Sequence, residues 1–138
     1  MQKAAFSIKS YTFDKVTLDI ENQVSKDISL SFEPEGIFDE NKKNFELIFT
    51  VKAFNDEKTI KHPFVKIRCR GIFEFESVNS VGEIPSFFYR NSIAILFPYV
   101  RAYISVITSQ ANIPGIILPT MNLSSLEDEL KTNTTTKK

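Results

Sequence analysis

The sequence predicts an α+β fold: a four-stranded antiparallel sheet with two helices packed on one face. Three observations lead to it. Through the first half of the 138-residue chain, apolar and polar side chains alternate, the pattern of strands with one buried face. After Val78 the apolar spacing lengthens to that of a helix. Four apolar strand faces then need a cover, and two helical segments are the only candidates for it.

The first strand is expected from Phe6 to Ile20, with Phe6, Ile8, Val16, Leu18 and Ile20 opposing Ser7, Lys9, Lys15, Thr17 and Asp19. Tyr11 and Phe13 fall on the wrong parity, which predicts a bulge or bend near 10–14. A short second strand sets Ile28, Leu30 and Phe32 against Asp27, Ser29 and Ser31. Residues 33–43 read as a loop from their Pro, Gly, Asp and Asn content. The third strand, 44–54, aligns Phe45, Leu47, Phe49 and Val51, and a hairpin turn follows at 55–58. In the fourth strand Val65, Ile67, Cys69, Phe73 and Phe75 alternate with Lys66, Arg68, Arg70, Glu74 and Glu76. Gly71 on its apolar side marks a bulge or close packing.

Residues 79–90 read as a linker containing Gly82 and Pro85. Ile93, Leu96, Phe97, Val100, Ile104 and Ile107 then share one helical face, with Asn91 or Ser92 as cap. Pro98 either kinks this helix or lies in the first turn of its main part. Residues 112–115 end it, 116–122 are extended, and Ser124 or Ser125 caps a short final helix with Leu123, Leu126 and Leu130 on one face. Residues 1–130 form one domain, and 131–138, KTNTTTKK, form a disordered polar tail.

Catalytic chemistry has little to work with. His62 is the only histidine and Cys69 the only cysteine, and strand parity points them to opposite sheet faces. No His, Cys and carboxylate cluster suggests a metal, no acid–base pair is apparent, and the isolated glycines make no phosphate loop. No enzyme activity and no cofactor are expected. Zero net charge argues against nucleic acid. The single cysteine fits a reducing compartment. No run of about 18 apolar residues suggests membrane insertion, and the N-terminus lacks a signal-peptide core, so a cytoplasmic location is expected. Thirteen Phe are hard to hide fully in a domain this small, which favours an exposed apolar binding surface.

Residues 96–123 carry the most distinctive pattern. Leu96-Phe97-Pro98-Tyr99-x-Arg101 runs through a helical stripe into an Ile-Pro-Gly turn, then an apolar segment ends in Pro119-Thr120-Met121-Asn122-Leu123. Gly71-Ile72-Phe73, Phe6-x-Ile8 and the Ile28, Leu30, Phe32 alternation add to it. In this order they resemble the SecB family of bacterial export chaperones. Arg70 replaces a family Gly, and Leu123 replaces the Phe of its Pro-x-Asn-Phe segment.

The resemblance implies an ATP-independent holdase that binds unfolded preproteins in apolar grooves and keeps them competent for export. It implies a homotetramer, a dimer of dimers, with Tyr99, Tyr103 and Ile107 as candidate subunit contacts. It places Phe6, Ile8, Ile28, Leu30, Phe32, Leu123, Leu126 and Leu130 in the client groove. Arg101 reads as a helix charge paired with a carboxylate or, by the resemblance, as a structural residue near subunit contacts. Docking to the SecA motor would use an acidic sheet face. Asp19 keeps that charge, but Lys15 and Lys66 stand where the family has acids, a sign reversal that weakens such docking. Two alternatives remain: a SecB-like chaperone dedicated to the antitoxin of a toxin–antitoxin pair, and a non-chaperone domain that binds an apolar ligand or acts as a scaffold.

Overall fold

A computed structural model describes residues 5–56, 59–119, 122 and 124–138. Its elements are β1 (Phe6–Leu18), β2 (Ser29–Asp39), β3 (Asn44–Phe54), β4 (Val65–Phe75), α1 (Ser86–Gln110), α2 (Ser124–Thr132) and β5 (Thr134–Lys137). The sheet has five strands, not the expected four, in the order β1-β4-β3-β2-β5. All neighbours are antiparallel except β5, which runs parallel to β2. The helix-facing side holds the core: Phe45, Leu47, Phe49 and Val51 of β3 and Val65, Ile67, Cys69 and Phe73 of β4 are buried beneath Phe88, Ile93, Leu96, Val100 and Ile104 of α1.

The parity break in β1 is resolved by two bulges, at Lys9 and Asp14, where the register against β4 skips a residue. Phe6 and Ile8 face β4's Phe75 and Phe73, Tyr11 and Phe13 face Gly71 and Cys69, and Val16 and Leu18 face Ile67 and Val65. Each of those β4 residues is on the helix side. The bulges therefore put every large apolar side chain of β1 on one face, and the two extra residues are charged. Asp14 lies on the opposite, open face. Its carboxylate accepts from Arg68 Nε (3.0 Å) and Nη2 (2.6 Å) and from Arg70 Nε (2.8 Å), and Arg70 Nη1 continues to Glu46 at 2.8 Å. Lys9 pairs with Glu74, and Lys52 with Glu33.

β2 does not stop at Phe32. It continues through Pro34 and Gly36 to Asp39, where a loop was expected. Successive residues of a strand aim their N–H groups to opposite sides, and the Gly36 N–H donates to Asn133 on the β5 side. Pro34, two residues earlier, thus has its missing donor at the sheet edge, where a strand tolerates proline. Gly36 is required for space. A Cβ there would run into the Phe45 ring and lie 2.7 Å from Thr134 Oγ1. The polar tail expected to be disordered supplies β5. Asn133 Nδ2 donates to Pro34 O, Thr134 Oγ1 donates to Leu130 O, and a run of β-branched threonines suits a strand added to the open edge of β2.

α1 begins at Ser86, earlier than the Asn91 or Ser92 cap, because Phe88 anchors its first turns. The Phe88 ring meets Phe6, Phe45, Phe73 and Phe75. Pro98 lies inside the helix, which excludes a first-turn position. Leu96 approaches the sheet over Gly71, where an added Cβ would lie 3.2 Å from a Leu96 methyl. The helix ends in a left-handed Asn112 (φ 61°), with Asn112 N–H donating to Ser109 O and Ile113 N–H to Thr108 O.

Two outcomes test this packing. Gly36→Ala is expected to cost about 1–3 kcal/mol by overpacking, read as a lower urea midpoint at unchanged slope; an unmoved midpoint would contradict it. The arginines hold the Asp14 carboxyl well below the usual carboxylate range, their hydrogen bonds outweighing the partial burial that opposes them. A depressed folded-state value stabilises fully above the unfolded value of about 3.9, and the contribution is lost as pH falls from there towards the folded value. Asp14→Asn should therefore lower the thermal midpoint at pH 7, with the gap to wild type shrinking below about pH 4. A gap that is constant down to pH 2 would refute the role of the carboxylate.

Candidate functional site: two hollows flanking the long helix

The helical cover is narrower than the sheet. Five strands span roughly 19 Å between outer axes, whereas one helix is about 10 Å wide. α1 lies over β3 and β4, and α2, only nine residues long, packs beside it on β2. Apolar strips are left on both sides of α1.

On the β1 side, Tyr11 stacks on Tyr99 (centroids 4.3 Å apart) and Phe13 on Tyr103 (3.9 Å). With Ala102 and Val106 these rings line an open hollow of about 320 Å³. Tyr11, Tyr99 and Val106 remain 43%, 42% and 55% exposed. Aromatic faces stacked in pairs yet open to solvent are unusual for a surface with no partner.

On the β2 side, Phe97, Pro98, Arg101, Ala102, Ser105 and Ile117 line a second hollow of about 350 Å³. The Phe97 ring lies 6.1 Å from Phe32, which links this hollow to the half-buried face of β2. Ala102 lines both hollows. Ile117 is 76% exposed, the most exposed large apolar residue described. Local bonding explains it. The Thr108 hydroxyl donates to Ile104 O and accepts the Ile116 N–H at 3.0 Å, pinning the segment after α1 against the helix. Ile116 and Leu118 are buried, and the extended backbone between them turns Ile117 outward.

The expected groove residues divide into three groups. Ile28 is exposed at the entrance to β2, and Leu30 and Phe32 are half-buried on its helix-facing side. Phe6 and Ile8 are also half-buried, but Phe6 belongs to the ring cluster under the start of α1. Leu126 and Leu130 are buried core beneath α2 and present almost no surface, at 7% and 0% exposure. Leu123 lies outside the described residues. Asn122 accepts the Ser124 N–H at 3.0 Å, so the residue before the serines supports the start of α2. Arg90 ties that start to α1 through Glu127 and the Ser124 hydroxyl.

Tyr99 is exposed, and Tyr103 and Ile107 are half-buried on the flank of α1. Lys15, Asp19 and Lys66 lie away from both hollows: Lys15 opposite Arg68 and Lys66 opposite Lys52 on the open face, Asp19 just beyond β1 with its N–H donating to Phe64 O. Sequence reasoning missed the lining roles of Tyr11, Phe13, Ala102, Val106 and Ile117. Residues 99, 102, 103 and 106 do form a second stripe at helical spacing, and Ile117 falls out of phase between two buried neighbours. It also missed Asn55 as more than a turn residue. Asn55 is buried, and its side chain accepts the Val24 N–H and donates to Ser25 O and Asp27 O, fixing the crossover from β1 to β2.

Chemically the hollows offer contact and no reactive group. The Cys69 thiol is buried, and desolvation pushes it up to about 12. Among the described residues no group of three or more His, Cys, Asp or Glu could hold a metal ion. α1 is long and apolar enough to cross a bilayer by length and composition, contrary to expectation, at mean hydropathy 1.4. Its stripe against the sheet and its apolar flanks account for that value.

An uncharacterized protein of Methanocaldococcus jannaschii is 31% identical over 144 residues, covering 98% of this chain and 92% of that protein. The Mycobacterium tuberculosis SecB-like chaperone Rv1957, solved with a ChAD peptide from the HigA1 antitoxin, superposes with a TM-score of 0.66 at 15% identity, over 85% of this chain and 88% of that one. A Streptococcus agalactiae protein of unknown function gives a TM-score of 0.47 at 14% identity, over 86% of this chain and all of that one. The family profile described as preprotein translocase subunit SecB matches residues 6–132. The chain belongs to the SecB family, a family of non-enzymatic chaperones.

Proposed function

We propose that this chain is a cytoplasmic, ATP-independent holdase that captures non-native polypeptide on the β2 side of α1. The observation that carries the reading is Ile117, held 76% exposed over a hollow walled by Phe97 and Pro98. Ile28, Leu30 and Phe32 extend that apolar surface along β2. An extended segment burying about 400 Å² of apolar surface gains roughly 10 kcal/mol before ordering costs, enough for weak, reversible capture. Such contact selects unfolded over folded chains and holds them unfolded by mass action.

The aromatic hollow on the β1 side suits a second copy of the chain. Tyr99, Tyr103 and Val106 would meet their equivalents there, with Ile107 close by, giving the dimer contact of a dimer of dimers and leaving the β2 side open to clients. Handover to SecA would require a motor surface complementary to Lys15 and Lys66, with Asp19 the acid kept among those matching positions. That charge pattern favours a dedicated client over SecA-coupled export of many preproteins. An antitoxin is such a client, and Rv1957, the SecB-like relative of the same fold, binds an antitoxin peptide.

A holdase should suppress aggregation of several unrelated unfolded proteins at near-stoichiometric amounts without nucleotide. Ile28→Glu with Ile117→Glu, both at exposed positions, should weaken that suppression about tenfold or more at unchanged native mass. Full suppression by the double variant would contradict the groove. Leu126→Glu does not serve here, because it disrupts the core. Separately, Tyr99→Glu with Val106→Glu should reduce the native mass of the assembly. An unchanged mass would rule out the β1-side contact.

A further inference from the structure

Three of the four arginines already have carboxylate partners: Arg68 on Asp14, Arg70 on Asp14 and Glu46, and Arg90 on Glu127. Arg101 has no ion pair among the described residues. It is exposed, and it lines the β2-side hollow between apolar walls formed by Phe97, Pro98 and Ile117. Its own helix offers no countercharge, and no acid lines the hollow. The chain carries 17 acidic residues, yet none occurs between Glu83 and Glu127, so α1 and the extended segment after it are free of carboxylates. A guanidinium set in an apolar trough with no acid beside it favours an occupant that brings the acid.

We propose that Arg101 makes this hollow selective for extended apolar segments that carry an aspartate or glutamate side chain. The inference rests on the β2-side hollow being the client site and adds the class of client. The apolar side chains supply affinity along Ile117, Phe97 and Phe32, and the carboxylate sets register by a charge-assisted hydrogen bond to the guanidinium. The β1-side hollow, lined by rings, Ala102 and Val106, carries no such charge. The two flanks of one helix therefore discriminate by different means.

The test uses a set of twelve-residue apolar peptides, acetylated and amidated so that no terminal carboxylate contributes. The siblings differ only in a central Glu, Gln or Lys. At low ionic strength the wild-type protein should bind the Glu peptide about five- to tenfold more tightly than the Gln peptide, and the Lys peptide most weakly. Raising the salt should shrink the difference. Arg101→Gln, at an exposed helix position where Gln is a good helix former, should bring the Glu and Gln siblings to the same affinity, and Arg101→Lys should keep part of the preference. Equal affinities for the wild-type protein, or a Glu preference that survives Arg101→Gln, would overturn the selectivity and leave the client hollow standing. Failure of every sibling to bind would overturn the hollow itself, and the selectivity with it.

Discussion

Width governs this molecule. A five-stranded sheet buries its centre under one long helix, and a nine-residue second helix shields part of one side. Among the described residues nothing covers the rest. The core is complete where α1 crosses β3 and β4, with Phe45, Val51, Ile67 and Phe73 fully enclosed. On either flank the same apolar faces continue outward and meet water at Tyr11, Val16, Ile28 and Ile117. Stability and binding thus draw on one continuous apolar surface, divided only by how far the helical cover reaches.

The bulged strand makes that division sharp. Without the bulges at Lys9 and Asp14, an unbroken β1 ladder would turn Tyr11 and Phe13 to the open face and lose their stacks on Tyr99 and Tyr103. With them, the open face carries the crosslinked charges of Asp14, Arg68, Arg70 and Glu46, and the other face carries rings. Charge on the uncovered side of a sheet disfavours non-specific association there. Apolar contact is confined to the flanks of α1.

Much of this was legible in the residues. The spans of β3 and β4 follow from uninterrupted alternation, and the broken parity at Tyr11 and Phe13 announced the bulged region. The inward face at Phe97, Val100 and Ile104 followed from helical spacing, and all three are buried. The motifs around Leu96–Arg101 pointed to the family. Other features depend on contacts distant in sequence. Pro34 and Gly36 look like loop residues until the sheet edge and the Phe45 ring explain them. The threonine tail looks structureless until β2 offers it an edge. Leu126 and Leu130 share a face, but periodicity alone does not tell a sealed face from an open one. Ile117 owes its exposure to a hydroxyl at Thr108, nine residues earlier.

The central claim is that the strip beside α1 on the β2 side, and not the charged open face, meets a non-native chain. Site-specific photo-crosslinking tests it most directly. A benzophenone side chain placed at position 117 should crosslink an unfolded client in high yield, and one at position 74, on the open face, should give none above background. Equal yields, or crosslinking from position 74 alone, would contradict the account.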